Sequence, residues 1–242
     1  MVYSRKPRKG SQLGDDRLDN GSDGENNLDS LGMSLSRIVS FSDGVFAVAI
    51  TLLVLSIKVP VLRPEVADRE LPRALLRLSP IFTAYVISFL VVGLFWIGHH
   101  RVFGLFKRYD RGLLWLNLIF LMTIVFVPFP TSLISKYSDS RAALIVYAVS
   151  IAVSGLLLCL IMWYGVHDRR LVDFVDENEH LRFMFGYSSM ALIFLLSIAV
   201  SFLNVDAAKY FWLVMIPSNF LIDHWLLVKL EERRGGRREG AA

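Results

Sequence analysis

The sequence contains a single cysteine, Cys159, within an apolar block, which excludes an intrachain disulfide. Charged residues make up only 20% of the 242 residues, and they concentrate in tails and loops, so the net charge of +4 does not indicate a nucleic-acid surface. Enzyme motifs such as His-Glu-x-x-His, a glycine-rich phosphate loop or Gly-x-Ser-x-Gly are absent. The sequence therefore predicts a protein that is not an enzyme and has no cofactor, no metal site and no nucleic-acid partner.

No cleavable signal is predicted either, because residues 1–33 contain no apolar segment ahead of the first long hydrophobic block. Their glycine, serine, asparagine and aspartate content predicts a disordered cytoplasmic tail. Residues 231–242 are rich in arginine and predict a second, basic cytoplasmic tail.

Apolar residues, in contrast, are abundant, at 54% of the chain, and they form long blocks. Blocks of about 20 residues are long enough to cross the hydrocarbon core as helices, the form in which every backbone group is bonded internally. The sequence predicts an all-α membrane protein whose domain, residues 34–230, holds six transmembrane helices. We expect them near 38–59, 78–100, 113–135, 142–166, 183–203 and 208–228.

Two features refine these helices. Pro60 is expected to end the first, and Pro128 and Pro130 are expected to kink or end the third. The distribution of basic residues gives the orientation, because 18 of the 26 lysines and arginines fall in the tails and the loops after the second and fourth helices. By the positive-inside rule both termini are predicted to be cytoplasmic in a multi-pass protein of the cell membrane. Arg63, Arg69, Arg73 and Arg77 in the first loop run against this bias.

The first helix carries an aspartate, Asp43, and an intramembrane acid is expensive unless it is paired. On a helical wheel Asp43 lies about 140° from Val48. The face centred on Val48 is apolar apart from one hydroxyl and comprises Phe41, Gly44, Val45, Val48, Thr51, Leu52, Leu55 and Val59. The helix is therefore predicted to have one apolar face and a separate face that carries Asp43.

The segment Arg37-x-x-x-Phe41-Ser42-Asp43 and the apolar run that follows it resemble the first helix of the transmembrane-175 family of potassium channels. Further similarity lies in Trp96, His99 and His100 of the second block, in Asn117 of the third, and in Pro128-Phe129-Pro130-Thr131. The resemblance covers residues 34–230. It identifies the six-helix domain as a channel domain.

This resemblance implies a passive, potassium-selective channel built as a homotetramer, with potassium as the permeant ion and the bilayer as its surroundings. Four copies of the first helix would line a central pore, and no Thr-Val-Gly-Tyr-Gly filter would be used or is present. It implies that Val48, Leu52 and Leu55 form the constriction and gate, and that Thr51 contributes to selectivity. Such apolar rings resist ions because ions lose water there without a replacement ligand.

Arg37, Phe41, Ser42 and Asp43 are interpreted as a structural network near the cytoplasmic end. Arg37 and Asp43 are too far apart in sequence for an i,i+4 pair, so each needs partners on other helices. The candidates are His99, His100 and Asn117, and a histidine there would also permit pH sensitivity. Loss of the Asp43 carboxylate is expected to impair assembly more than permeation.

Other interpretations of these residues, without a role in a pore, remain open at this point. The apolar face of the first helix could contact lipid or another helix, and Thr51 could bond to its own backbone. A secondary cation transporter or a non-conducting membrane scaffold are the alternative functions. Asp223 and His224 in the last block are polar and intramembrane, and no role is assigned to them.

Overall fold

The computed structural model describes residues 34–167, 171–172 and 177–212, and of residues 177–179 the backbone alone. Eight α-helices occur in these ranges. They are α1 Leu35–Leu53, α2 Ala67–Arg77, α3 Ser79–Leu105, α4 Arg111–Phe126, α5 Pro128–Lys136, α6 Arg141–Val166, α7 Glu177–Ser201 and α8 Val205–Phe211. Short 3-10 turns at Val54–Ser56 and Pro64–Val66 flank the loop before α2.

Five helical segments are long and apolar enough to span a membrane: Leu35–Ser56, Ser79–Leu105, Arg111–Lys136, Arg141–Val166 and His180–Ser201. They match the first five predicted blocks. The structure describes the predicted sixth helix, 208–228, only as far as Trp212. Its remainder and both predicted tails lie outside the described residues. An all-helical, multi-pass membrane architecture is thus confirmed for the described part of the chain.

The ends of these helices differ from the sequence-based prediction in two places. The first helix ends at Ser56 and not at Pro60, because Ile57 is already extended, with φ −86° and ψ 103°. The third block is interrupted at Val127, where α4 ends and α5 begins with Pro128. The break confirms the expected effect of the two prolines, whose rings remove backbone donors and clash with the preceding turn.

Helix α6 is the centre of the bundle. It contacts α3, α4, α5, α7 and α8, and half of its 26 residues are buried. Small side chains allow the closest approach: Gly155 lies against the backbone of Tyr187 and against Ala191 in α7. Close packing of small residues is the usual basis of helix association in lipid, where no hydrophobic force drives helices together.

On the other side of the bundle α1 packs against α3, α4 and α5. A chain of buried hydroxyls ties α5 into this arrangement. Thr131 Oγ1 lies 2.8 Å from Ser88 Oγ of α3, which lies 3.0 Å from the Tyr147 hydroxyl of α6. These hydroxyls satisfy one another where no water reaches them, and so they hold the helix segment that follows the proline break.

Gly98 provides a test of the packing between α3 and α7. A Cβ there would collide with the ring end of Tyr187, whose hydroxyl donates to the Leu94 carbonyl at 2.8 Å, and would come within 2.9 Å of Leu158 Cδ2. We expect Gly98→Ala to lower the free energy of unfolding by about 1–3 kcal/mol, the usual cost of overpacking. Detergent-induced unfolding followed by circular dichroism measures this quantity.

Gly93→Ala is the matched control, because it lies in the same helix with nothing within 4 Å of the new methyl group. It should be neutral or slightly stabilising, since alanine favours helix over glycine. Equal unfolding curves for the two variants would contradict the packing described for Gly98.

Candidate functional site

Helix α1 has two faces of opposite character. Its buried residues recur every three or four positions and face the rest of the subunit: Ile38, Ser42, Phe46, Ala49 and Leu53. The opposite face is open, with exposed fractions of 57% for Phe41, 56% for Val48, 38% for Leu52 and 69% for Leu55. Within the described residues, therefore, no helix of the same subunit covers this apolar face.

Buried hydrogen bonds hold the inner face of α1. Ser42 Oγ donates to the Ile38 carbonyl at 2.9 Å and accepts from Asn117 Nδ2 of α4 at 3.0 Å. The Asn117 carbonyl oxygen lies 2.9 Å from His99 Nε2 of α3. All three polar side chains are at most 2% exposed. These linked hydrogen bonds fix the orientation of α1 about its axis, because a rotation of the helix would leave buried polar groups without partners.

The His99 ring is enclosed by aromatic side chains. It stacks on Phe103 with ring centroids 4.2 Å apart and on Phe120 at 5.8 Å, while Phe46 of α1 lies at 5.7 Å. With the Asn117 oxygen as acceptor, Nε2 carries the proton, and the buried Nδ1 has no partner among the described residues. A neutral imidazole suits these surroundings.

Asp43 has a different partner from those expected. Its carboxylate accepts from the indole nitrogen of Trp96 in α3 at 2.8 Å. Trp96 also packs on the exposed His100 ring, with centroids 5.9 Å apart. The sequence showed Trp96 one turn before His99 and His100 but gave it no role. The sequence did contain a signal for this pair. The indole N–H can only donate a hydrogen bond, and the carboxylate is an acceptor without an obvious partner in its own helix.

The remaining predicted site residues lie near these groups or on the open face. Arg37 is exposed in the first turn of α1, and Phe41 is exposed on the apolar face. Of the proposed network the structure brings together Ser42, His99 and Asn117 in one cluster and places Asp43 with Trp96 in another. The functional roles of all these residues stay predictions.

Thr51 also lies on the open face, and its hydroxyl donates to the Val48 carbonyl at 2.9 Å. This backbone bond was one of the alternatives for Thr51, and it leaves the oxygen lone pairs available as acceptors. Leu55 lies in the 3-10 turn after α1, and Val59 lies beyond it, outside any helix. Val59 therefore does not continue the helical face as the wheel had it.

Apolar spans with exposed apolar exteriors, joined by small clusters of buried hydrogen bonds, define a multi-pass helical membrane protein. Residues 37–128 match the family model of the endosomal/lysosomal potassium channel TMEM175. A potassium channel of Streptomyces collinus is 41% identical over 141 residues, which cover 57% of this chain and 67% of the relative. A potassium channel of Chamaesiphon minutus is 38% identical over 173 residues, covering 70% of this chain and 85% of the relative.

A solved structure agrees. The crystal structure of a lysosomal potassium-selective channel TMEM175 homolog from Chamaesiphon minutus superimposes with a TM-score of 0.67 and 33% identity, over 78% of this chain and 97% of that one. The chain belongs to the TMEM175 family, which is a family of ion channels and not of enzymes. The matched region begins at Arg37, the first residue of the motif found in the sequence.

Proposed function

We propose that the protein is a passive, potassium-selective channel of the cell membrane in which four copies of α1 surround a central pore, with both termini cytoplasmic. The observation that carries this proposal is the two-sided character of α1. Its inner face is locked by Ser42 and Asn117, and so the apolar face of Val48, Leu52 and Leu55 points away from the subunit. A symmetric assembly would turn that face toward the axis. The potassium-channel relatives support potassium as the permeant ion.

Apolar rings at this face would control the ion path. Val48 and Leu52 are one helical turn apart, about 6 Å along the axis, and Leu55 follows in the next turn. An ion passing such rings must shed water without gaining a ligand, so narrow apolar rings dewet and close the pore. Leu52 lies between the other two rings, and its ring is flanked by an apolar ring on each side. It is therefore the principal barrier in this proposal.

Thr51 would supply the polar layer. Because its proton is engaged by the Val48 carbonyl, the oxygen would present lone pairs to a passing cation. Thr51→Val is nearly isosteric and removes that oxygen. We expect the potassium-to-sodium permeability ratio, measured from reversal potentials in planar bilayers, to fall several-fold, because potassium loses a partial replacement for its water. Thr83→Val is the control, since the Thr83 hydroxyl likewise donates to a carbonyl of its own helix, that of Ser79, but lies on α3 and not on the proposed pore face. A ratio unchanged in Thr51→Val would assign Thr51 a structural role.

The alternative of a secondary transporter predicts helices broken at a binding site. One such break occurs at Val127, but Val127 is fully buried and its carbonyl accepts from the Thr131 amide at 3.1 Å. The backbone at Val127 itself is thus bonded and shielded from a substrate. This observation favours the channel.

Potassium flux into liposomes that contain the purified full-length protein tests the proposal. A channel gives fast, passive, non-saturating uptake that follows the potassium gradient, and a transporter gives slow, saturable or coupled uptake. A scaffold gives none. Subunit counting by native mass spectrometry on the same preparation tests the tetramer, and a dimer or monomer with full flux would contradict the shared pore.

A further inference from the structure

Helix α2, in the loop between the first two spans, is amphipathic and largely exposed. None of its residues is buried, and its main contacts among the described residues are with the 3-10 turn before it and with α3. It ends at Arg77, and α3 begins at Ser79, so one residue separates it from a membrane span. This connection places α2 at the level where the hydrocarbon core gives way to the headgroups.

Three leucines form one face of α2, and Leu76, which is 74% exposed, lies beside the arginines on the other face. At 100° per residue Leu75 and the following Leu78 lie on either side of Leu71, each within about 40° of it. Leu71 is 40% exposed and Leu75 is 47% exposed. Leucines that remain open on a helix beside a membrane span are suited to the boundary between acyl chains and headgroups.

Arginines form the opposite face. Arg69, Arg73 and Arg77 follow each other at intervals of four residues and make a stripe along the helix. All three are exposed, and none forms an ion pair with another described residue. The acidic residues of α2, Asp68 and Glu70, lie in its first turn, where they favour the helix N-terminus. The positive charge thus increases toward the end that meets the span.

We infer that α2 is an interfacial helix that binds anionic phospholipid headgroups. The leucine face enters the outer part of the acyl layer, and Arg69, Arg73 and Arg77 engage phosphates. A guanidinium matches a phosphate group with two parallel hydrogen bonds, and an anionic surface adds to its attraction. The inference is independent of which face of α1 lines the pore. It also accounts for the basic residues of the first loop that run against the positive-inside bias.

Depth measurements with spin labels test the position of α2. The full chain carrying Cys159→Ala receives a nitroxide at Leu75→Cys or, as the matched control on the arginine face, at Glu70→Cys. In vesicles of equal parts phosphatidylcholine and phosphatidylglycerol, dissolved oxygen should reach the label at 75 and an aqueous nickel chelate should not. The label at 70 should be open to the chelate. Access of the chelate to both labels would place α2 in water, and shielding of position 75 from both reagents would place it against protein; either result overturns the inference.

Lipid retention tests the headgroup chemistry. Purified wild-type protein is exchanged with fluorescent phosphatidylglycerol or phosphatidylcholine, and the bound fraction is measured after detergent washing. The variant R69Q/R73Q/R77Q should retain about tenfold less phosphatidylglycerol at α2, given the attraction of each basic residue to an anionic surface, with phosphatidylcholine unchanged. R69K/R73K/R77K should keep most of the retention because it keeps the charge. Equal phosphatidylglycerol retention by the wild type and the glutamine variant would overturn the inference.

Discussion

Replacement of Leu52 by asparagine should raise passive potassium flux by at least about tenfold and lower the preference for potassium over sodium. In the proposed tetramer four amide groups would replace the central apolar ring and would offer oxygen ligands and water contacts where none existed. A reduction of the permeation barrier by about 1.4 kcal/mol suffices for a tenfold increase in rate. Four amide oxygens that replace part of the water an ion sheds are expected to exceed that amount. Liposome flux and reversal potentials, measured at equal protein density, give both quantities.

Leu156→Asn is the matched control for this experiment. Leu156 lies in α6, where it is 50% exposed, and its face has no place at the proposed axis. The same leucine-to-asparagine change there should leave flux and selectivity at the wild-type level. If Leu52→Asn assembles normally and conducts like Leu156→Asn, then the apolar face of α1 contacts lipid and the proposed pore is wrong.

Replacement of Asn117 by leucine should destabilise the subunit by about 1–3 kcal/mol. The change removes two interhelical hydrogen bonds at once, one to Ser42 and one to His99, and leaves both partners buried. Interhelical hydrogen bonds in membranes contribute on average about 0.6 kcal/mol and at most about 1.7 kcal/mol each, which sets this range. Unfolding in a series of detergent–denaturant mixtures, followed by circular dichroism, measures the loss.

The same variant has a second expected effect. Because Ser42 and Asn117 fix the rotation of α1, Asn117→Leu should also broaden the single-channel conductance or lower the yield of the tetramer. Ser154→Ala is the control that tests whether the loss of any buried hydroxyl has that effect. The Ser154 hydroxyl bonds Thr123 of α4 at 2.9 Å, and among the described residues it forms no hydrogen bond with α1. A conductance altered equally by Ser154→Ala would show that the rotation of α1 is not specifically controlled by Asn117.

How far the sequence predicted the site depends on the residue. Val48, Leu52 and Asp43 were assigned to opposite faces of α1 from a wheel alone, because a regular helix fixes the angle between any two of its positions. Leu55 and Val59 show where that reasoning ends. The helix tightens into a 3-10 turn at Val54 and stops after Ser56, and no local signal short of Pro60 marks that end.

The partners of the polar residues could not be obtained in the same way. Asp43 was expected to meet a histidine or Asn117, yet it bonds Trp96, while Asn117 bridges Ser42 and His99. Several donors lie within one turn of α3, and their order along the chain does not tell which of them faces α1. The rotation and the depth of α3 against α1 make that choice.

Helix α2 shows a second limit of prediction from the sequence. Its leucines and arginines are separated by periodicity that is visible in the sequence, but the segment contains Pro72 and lies in a loop, so it was counted only for its charge. The structure shows that it forms a helix that stops one residue before a span. Its amphipathic faces acquire a meaning only from that position.

The sequence by itself determined the class of protein, because long apolar blocks can be satisfied only by helices in lipid and because the motif from Arg37 to Asp43 identifies the family. The five membrane spans of the described region and the apolar face of α1 follow from length and period, which are local properties. Only the tertiary structure decided which polar groups pair, where α1 ends and which of its faces is left uncovered. These are outcomes of packing between segments distant in sequence, where the cost of an unpaired buried group selects one arrangement among several that the local pattern permits.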